Sequence, residues 1–284
     1  MPRPTIEPIT QEMLPEFARF LAEHMPAQRS AQGWESGLCA PWARAGDNFG
    51  FALRDEGRIV GGIGAFYGDR VVRGRRERTC NITSWCVLDA YRQQSMRLGM
   101  ALVGQSGLSF TNFSPTKVVG ATLKFLKFKE LDDRTAVMPN LPWPGMSSAS
   151  VVTDPDKIRA SLSGEALRAY SDHAGLPWLK HVLVGRPGHW CHVIYKRRSF
   201  KGLPSAHILH VGDPSVLAMH FRRLLAHLLG RGIASTHVEL RLTGGALPRP
   251  YKIRSGFTPK LFLSADLAEP DIDYLYSETL ALDL

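Results

Sequence analysis

The residues whose types and spacing could carry chemistry are concentrated in one stretch, CVLDAYRQQSMRLGMALV, at positions 86–103. Its apolar start is typical of a strand, and Leu98, Ala101 and Leu102 recur at helical spacing. A short polar loop separates the two. The N-terminus of a helix offers unpaired backbone N–H groups and the positive end of the helix dipole, so it attracts phosphate. The pattern therefore predicts an anion site, although no glycine precedes Gly99.

The strand that leads into this loop carries four polar side chains. Alternation places Asn81 and Thr83 on one face of the sheet and Ser84 and Cys86 on the other. Such residues line a cleft if the strand separates from its neighbour, and otherwise they are ordinary polar residues of a sheet.

The elements that must position these residues follow one plan twice. Residues 6–24 have the pattern of an amphipathic helix, and strands, the polar loop, a further helix and a last strand follow. The Pro- and Ser-rich segment 139–154 is predicted to be a linker, and the same order then starts again. We therefore predict domains at 1–138 and 155–284, of the α/β (α+β) class. In the second, Asp213 is expected to cap a helix that starts at Pro214 and ends near Gly230.

Composition favours a protein that meets anionic partners. The net charge is +9, yet the last 24 residues hold six acids and no Lys or Arg. Four cysteines without a CxxC pair suit a reducing compartment, and no apolar run approaches the ~20 residues of a membrane span. We therefore expect a cytoplasmic protein. Nine of the ten histidines fall at or after His173, but their i,i+3 pairs on strands point to opposite faces, so no metal site is predicted.

Three segments in the first half resemble the GNAT superfamily of CoA-dependent N-acyltransferases. They are the strand exit and leading arginine at 87–92, the strand and asparagine at 110–114, and the helix ending at 125–131. The resemblance covers about residues 6–135 and implies two GNAT-like halves, each a mixed, mostly antiparallel sheet flanked by helices. It also implies a strand that splays from its neighbour to receive acetyl-CoA or another acyl-CoA.

The resemblance assigns residues to the acyl-CoA site. The expected cofactor-binding residues are Val87, Leu88, Arg92, Gln93, Gln94, Ser95, Met96, Arg97 and Asn112. Ser95 and Arg97 stand where the family has glycines. Ser95 can cap the helix or donate its hydroxyl to a phosphate, whereas Arg97 can add a charged contact or block the approach.

Two catalytic candidates come from different halves. Ser84 lies on the strand that would line the cleft. Tyr251 precedes Gly256-Phe257 in a segment that resembles the family's late Tyr…Gly-Phe turn. Asp213 stands where the second half would hold phosphate and would repel it, so the second half is expected to be a degenerate copy that shapes the substrate cleft.

The sequence thus favours an N-acetyltransferase that acts on an amine of a small molecule, an amino sugar being one choice. Two alternatives stay open. One is a non-catalytic binding protein that keeps the fold, and the other is an aminoacyl-tRNA-dependent transferase, which would bind nucleic acid with a steep salt dependence. The acyl group, the acceptor and the oligomeric state are not specified by these residues.

Overall fold

The computed structural model describes residues 4–26, 29–143 and 149–283. The chain forms two compact units, of which the first comprises Met1–Leu131, Thr258–Leu267 and Tyr276–Leu284, and the second Asp132–Phe257 and Ala268–Leu275. Within the described ranges, no helix has the length and apolar character needed to cross a bilayer.

The elements up to residue 131 are β1 Thr5–Pro8, α1 Leu14–His24, α2 Ala31–Leu38, β2 Gly50–Asp55, β3 Arg58–Val72, β4 Arg75–Val87, a 3-10 helix Asp89–Gln94, α3 Ser95–Val103, β5 Ser109–Asn112, α4 Lys117–Phe125 and β6 Lys129–Glu130. The later elements are β7 Thr135–Pro139, β8 Ser150–Val152, α5 Pro155–Ser161, α6 Gly164–His173, β9 Leu179–Arg186, β10 His189–Phe200, β11 Leu203–Val211, α7 Pro214–Gly230, β12 Ser235–Glu239, β13 Lys252–Arg254, β14 Leu261–Leu263 and α8 Glu278–Ala281, with short 3-10 turns at Leu240–Leu242 and Glu269–Asp271.

The first unit is built on a sheet in the order β1-β2-β3-β4-β5-β14-β6, in which only β4 and β5 are parallel. One face packs on α3 and α4 through a core that includes Ile63, Ile82 and Leu98. The other face carries α1, and the absence of a side chain at Gly62 admits the Phe17 ring, which a Cβ would meet at 2.4 Å. Helices therefore cover both faces of the sheet.

The second unit repeats this plan. Its sheet runs β13-β7-β12-β11-β10-β9-β8, again with one parallel pair, β11 and β12. Helices α5 and α6 precede β9 as α1 and α2 precede β2, and α7 joins the parallel pair as α3 does. Asp213 caps α7 as predicted, because its carboxylate accepts from the N–H groups of Ser215 at 2.9 Å and Val216 at 3.1 Å. The predicted α/β (α+β) class, with two mixed, mostly antiparallel sheets flanked by helices, is confirmed.

The predicted boundaries 1–138 and 155–284 differ from the two units because the halves exchange strands. β7 leaves the first half of the sequence and pairs with β12 in the second unit. In return β14, near the end of the chain, inserts between β5 and β6 in the first unit. The predicted linker 139–154 contains β8, which pairs with β9, and its residues 144–148 lie outside the described residues.

The predicted helix over residues 6–24 is wrong in its first third. Residues Thr5–Pro8 form β1, which is antiparallel to β2, and the helix begins at Leu14. A pairing partner more than 40 residues away decides the conformation of this segment, and local periodicity does not show such a partner.

Histidines form part of the interior of the second unit. His173 is fully buried, with its Nδ1 2.8 Å from the carbonyl oxygen of Ala169, and the His181 Nδ1 lies 3.1 Å from the His192 Nε2. Burial lowers the pKa of His173 to about 3 and that of His181 to about 4, so both rings are neutral at pH 7. Among the residues with described positions, no three His, Cys, Asp or Glu side chains converge as a metal site would require.

Candidate active site at the exit of strand β4

The two parallel strands of the first unit separate after a short contact. β4 pairs with β5 only from Thr79 to Asn81, and β4 continues six residues further without a ladder partner on that side in the described chain. The Asn112 side chain donates to the Ile82 carbonyl at 2.9 Å and so closes the end of the paired region. The free edge of β4 beyond it has backbone groups that an extended chain could pair with, as in strand addition.

A β-bulge lies in this free part of β4. The register with β3 shifts between Gly62 and Gly64, and Ser84 adopts a φ of +47°. The Ser84 hydroxyl lies 3.3 Å from that of Thr83, its neighbour in sequence. The bulge therefore fixes two adjacent hydroxyls at the point where β4 has left β5.

The bulge also overturns the predicted alternation. Trp85 packs against Gly99 of α3, whereas Cys86 lies against the end of α1, where its thiol is 3.7 Å from the carbonyl of His24. Thr83 contacts Gly64 beside Leu38 of α2, so Thr83 and Cys86 share a face. The prediction that they lie on opposite faces is wrong because one extra residue in a strand moves every later side chain to the other face.

The predicted phosphate loop is a 3-10 helix that runs directly into α3. In a 3-10 turn an N–H bonds to the carbonyl three residues earlier. The Tyr91 N–H bonds in this way to the Leu88 carbonyl, and the Ser95 N–H bonds to the Arg92 carbonyl. Ser95 is the first residue of α3, and Gln94 occupies the N-cap position without a side-chain cap, so of the two roles considered for Ser95 the structure does not show the capping role.

The charged residues of the loop are also engaged. Arg97 donates to Gln94 Oε1 at 2.8 Å and to the Pro4 carbonyl at 3.3 Å, and Arg92 pairs with Asp89 at 2.8 Å. Asp89 itself lies in the first turn of the 3-10 helix, where its charge opposes an incoming phosphate. Both arginines of the loop thus have partners within the protein, and diphosphate binding there stays a prediction. The free edge of β4 ends at Val87 and Leu88, and their contact with an acyl-carrying arm likewise stays a prediction.

A carboxyl group that the sequence analysis missed faces this exit. Glu278 of α8 is fully buried, and its Oε1 accepts from the Phe113 N–H at 3.0 Å and from the Ser114 hydroxyl at 2.9 Å. Its own backbone N–H donates to the Asn81 side chain at 2.8 Å. The Glu278 Oε2 is buried without a hydrogen-bond partner among the residues whose placement is described.

The surroundings of Glu278 change its acidity. Burial raises the pKa of the carboxyl above its usual range, against the opposing effect of its hydrogen bonds to Phe113, Ser114 and Asn81. Ser114 is exposed, so its hydroxyl links the buried carboxyl to the surface. A raised pKa, a free oxygen and a hydroxyl relay are the properties of a general base.

The second predicted catalytic residue lies elsewhere in the chain. Tyr251 belongs to the second unit and lines a cavity of about 760 Å³ with Phe200, Leu203 and Ile253, whereas Ser84 belongs to the first unit. The structure therefore assigns Ser84 to the exit of β4 and Tyr251 to a different cavity.

No sequence signal pointed to Glu278 or to its relation with Ser114. These two residues are 164 positions apart, and the only visible hint is that Glu278 is one of six acids in a segment without a cation. Tyr276 and Leu280, two positions before and after it, are compatible with burial, but they do not show against which strand the segment packs.

Comparison with known proteins extends this description. No protein-family model matches the sequence, and no curated protein matches it. The structure is similar to that of a GCN5-related N-acetyltransferase from Anabaena variabilis, with a TM-score of 0.63 and 13% identity over 92% of this chain and 72% of that one. A GCN5-related N-acetyltransferase from Kribbella flavida gives a TM-score of 0.59 at 14% identity over 91% and 70% of the two chains. A probable N-acyltransferase from Enterococcus faecalis gives 0.58 at 12% over 92% and 72%.

The chain therefore has the fold of the GCN5-related N-acetyltransferases, and the fold implied by the sequence resemblance is confirmed. Identities of 12–14% establish the fold alone. Activity has to be argued from the residues of this chain.

Proposed function

We propose that the protein is an acyltransferase that moves an acyl group from a thioester, acetyl-CoA or another acyl-CoA, to an amine of a small molecule. The observation that carries the proposal is the fully buried Glu278, which has one unpartnered oxygen and lies where β4 leaves β5. A buried carboxyl group without a full set of partners costs stability, and such a cost is typical of a functional site.

The chemistry needs a group that takes a proton. An amine attacks a thioester carbonyl only as the neutral base, and it must lose a proton as the new N–C bond forms. The C–S bond breaks, the sulfur leaves as the thiolate with the electron pair of that bond, and it takes up a proton from water. In this site the Ser114 hydroxyl hands the proton to Glu278, to which it is already hydrogen-bonded at 2.9 Å. The raised pKa of Glu278 makes it a stronger base than an exposed carboxylate.

The bulge supplies the second component. Ser84, with its φ of +47°, holds the β4 backbone out of the regular ladder, next to the Thr83 hydroxyl at 3.3 Å. Hydroxyl groups fixed in this way can donate hydrogen bonds to the carbonyl oxygen of the attacked thioester and stabilise the negative charge that develops on it. Ser84 is thus retained as a catalytic candidate, while Tyr251 has no part in the proposed reaction.

A second candidate function has its own observation. Asp89, in the first turn of the 3-10 helix, places a carboxylate beside the loop to which the resemblance assigns the diphosphate. This favours a protein that keeps the fold and binds a ligand without turning it over. The amino-sugar acceptor stays a prediction, since no described residue specifies it.

The test is thiol release from acetyl-CoA and longer acyl-CoAs in the presence of a panel of small amines. We expect activity in the native chain and a loss of about 10²–10⁴-fold in kcat for Glu278→Gln, the usual contribution of a general base. Ser114→Ala should lose less, because water can replace the hydroxyl. Glu12→Gln, an exposed carboxylate in the same unit, is the matched control and should not change kcat.

Binding and folding measurements separate the possible failures. Acyl-CoA titration and the Tm of Glu278→Gln show whether the variant still folds and still binds the donor. Full activity in a folded Glu278→Gln would exclude this residue as the base. Binding of acyl-CoA without thiol release from any amine in the panel would favour the binding protein, and no binding at all would contradict both acyl-CoA readings.

A further inference from the structure

The second unit contains a basic cavity that the acyltransfer proposal does not use. Its volume is about 760 Å³, and its walls come from α5, α6, the start of β9, the end of β10 and the end of α7. Four permanent cations line it, and none of its described lining residues is Asp or Glu. The cations are Arg159, Lys180, Arg197 and Arg231.

None of these four cations forms an ion pair with a carboxylate in the described ranges. Arg159 lies over the Tyr170 ring at 5.8 Å, Lys180 donates to a backbone carbonyl at 3.0 Å, and Arg231 lies 3.5 Å from the Thr153 hydroxyl. Four like charges around one concavity repel each other and raise its positive potential. An anionic occupant would remove that repulsion.

Two of the four cations act on a tyrosine that lines the same cavity. Burial raises the pKa of the Tyr195 hydroxyl, and the positive charges of Arg231 and Arg197 act against that rise. Tyr195, Arg197 and Arg231 line the same cavity. A phosphate group at this point would meet two planar forks of N–H donors.

The other basic cluster of the chain shows a different arrangement. The Arg-rich hairpin of β3 and β4 has acids beside it: Arg78 pairs with Asp47, and Arg44 pairs with Asp69 at 2.7 Å. Its charge is partly neutralised within the protein. The cations of the basic cavity are not neutralised in this way, and they surround a volume typical of small-ligand sites, about 300–1,000 Å³.

We propose that the basic cavity binds a small molecule that carries at least two phosphate charges, such as a diphosphate group. Four cations exceed what one monoanion needs, and arginine binds phosphate oxygens in a bidentate manner. The Tyr170 and Tyr195 side chains of the lining add aromatic surface and hydroxyl groups beside the cations. This proposal is independent of acyl transfer at Glu278, which belongs to the first unit.

The test is isothermal titration with inorganic pyrophosphate and with orthophosphate at matched ionic strength. We expect pyrophosphate to bind more tightly than orthophosphate and to raise the Tm. The double variant Arg197→Glu/Arg231→Glu should weaken pyrophosphate binding by at least about tenfold, because it reverses two of four charges. Both residues are exposed, so the folded state should survive, and Tm measured without ligand checks this.

Arg186→Glu is the matched control, since Arg186 is an exposed arginine of the same unit outside the cavity lining. Equal weakening by Arg186→Glu would mean a general charge effect and would overturn the proposal. So would the absence of pyrophosphate binding at millimolar concentration, or binding that the double variant leaves unchanged. Binding of RNA but not of pyrophosphate would replace the small ligand with a nucleic acid.

Discussion

Strands β4 and β11 leave their parallel partners in the same way, but the residues that fill the two exits differ. In the second unit the exit of β11 holds Glu239, Arg241 and Tyr274, with an Arg241 Nε to Glu239 Oε2 distance of 2.6 Å and a hydrogen bond from the tyrosine to the same carboxylate. Asp273 lies 2.8 Å from the Nδ1 of His210 beside them. In the first unit the exit of β4 holds Glu278, whose nearest polar partners are neutral.

This difference indicates a structural role for the residues at the exit of β11 and a chemical role for those at the exit of β4. A carboxylate whose two oxygens are bonded to an arginine and a tyrosine, as those of Glu239 are, has no free oxygen with the capacity to take a proton from a substrate. A buried carboxyl with neutral partners and one free oxygen has that capacity. The gap between the parallel strands is thus present in both units, and in the first of them the buried carboxyl group beside it has an oxygen without a hydrogen-bond partner among the described residues.

The largest effect that this comparison predicts is on stability. Arg241→Met should lower the free energy of unfolding by about 3–5 kcal/mol, because it leaves the Glu239 carboxylate buried without its counter-charge. Chemical denaturation followed by far-UV circular dichroism measures this. Arg134→Met, which breaks the more exposed pair with Asp132, is the control and should cost less than ~1 kcal/mol. Equal costs would mean that the two pairs do not differ as their burial indicates.

The next effect is a difference between the two units in how their stability depends on pH. The pKa values of His173 and His181 in the folded state, about 3 and about 4, lie below the usual 6.5, so the unfolded state binds protons more readily. Their contribution to stability is present above pH 6.5 and is lost as the pH falls towards 4, by about 1.4 kcal/mol per pH unit for each extra proton bound by the unfolded state.

The buried carboxyl of the first unit responds in the opposite sense. The raised pKa of Glu278 means that its contribution is present at low pH and is lost as the pH rises through the folded-state value. Hydrogen exchange mapped by mass spectrometry at pH 7 and pH 4.5 should therefore show the second unit opening first in acid. Earlier opening of the first unit would contradict this assignment of the titrating groups.

The last prediction concerns the two bulges, one of which gives the smallest effect. Ser84→Gly should raise the free energy of unfolding by about 1 kcal/mol, because glycine adopts the φ of +47° without strain. Leu209, the residue without a register partner in β11, is 8% exposed, and Leu209→Gly should be destabilising through the loss of its packing. Thermal unfolding of the two variants gives the sign of each change in stability. The same sign for both would show that the two bulges respond alike to glycine.

The sequence predicted what local patterns determine. The helix that starts after Asp213 follows from hydrophobic periodicity and its capping residue, whereas the mixed sheets were implied by the family resemblance, and both are present in the structure. The separation of β4 from β5 was implied by the family resemblance, and the ladder does end at Asn81.

What the sequence could not predict depends on distant partners. β1 needs β2 to be a strand, and β14 lies beside β5 although about 150 residues separate them. The bulge at Ser84 adds one residue to a strand without changing its composition. The polar loop at Asp89–Gln94 was predicted to join the strand to the helix, but its sequence does not show that it forms 3-10 turns.

The exchange of strands has a consequence for the synthesis of the chain. Until residues Leu261–Leu263 leave the ribosome, β5 lacks its β14 neighbour and the first sheet ends in an unpaired strand edge. At ordinary rates of translation this interval lasts on the order of ten seconds after β6 has emerged. The second unit, which takes β7 from the earlier half, has no comparable delay for β12. The nascent protein is therefore expected to need shielding of its first half until β14 and the proposed base Glu278 have been added.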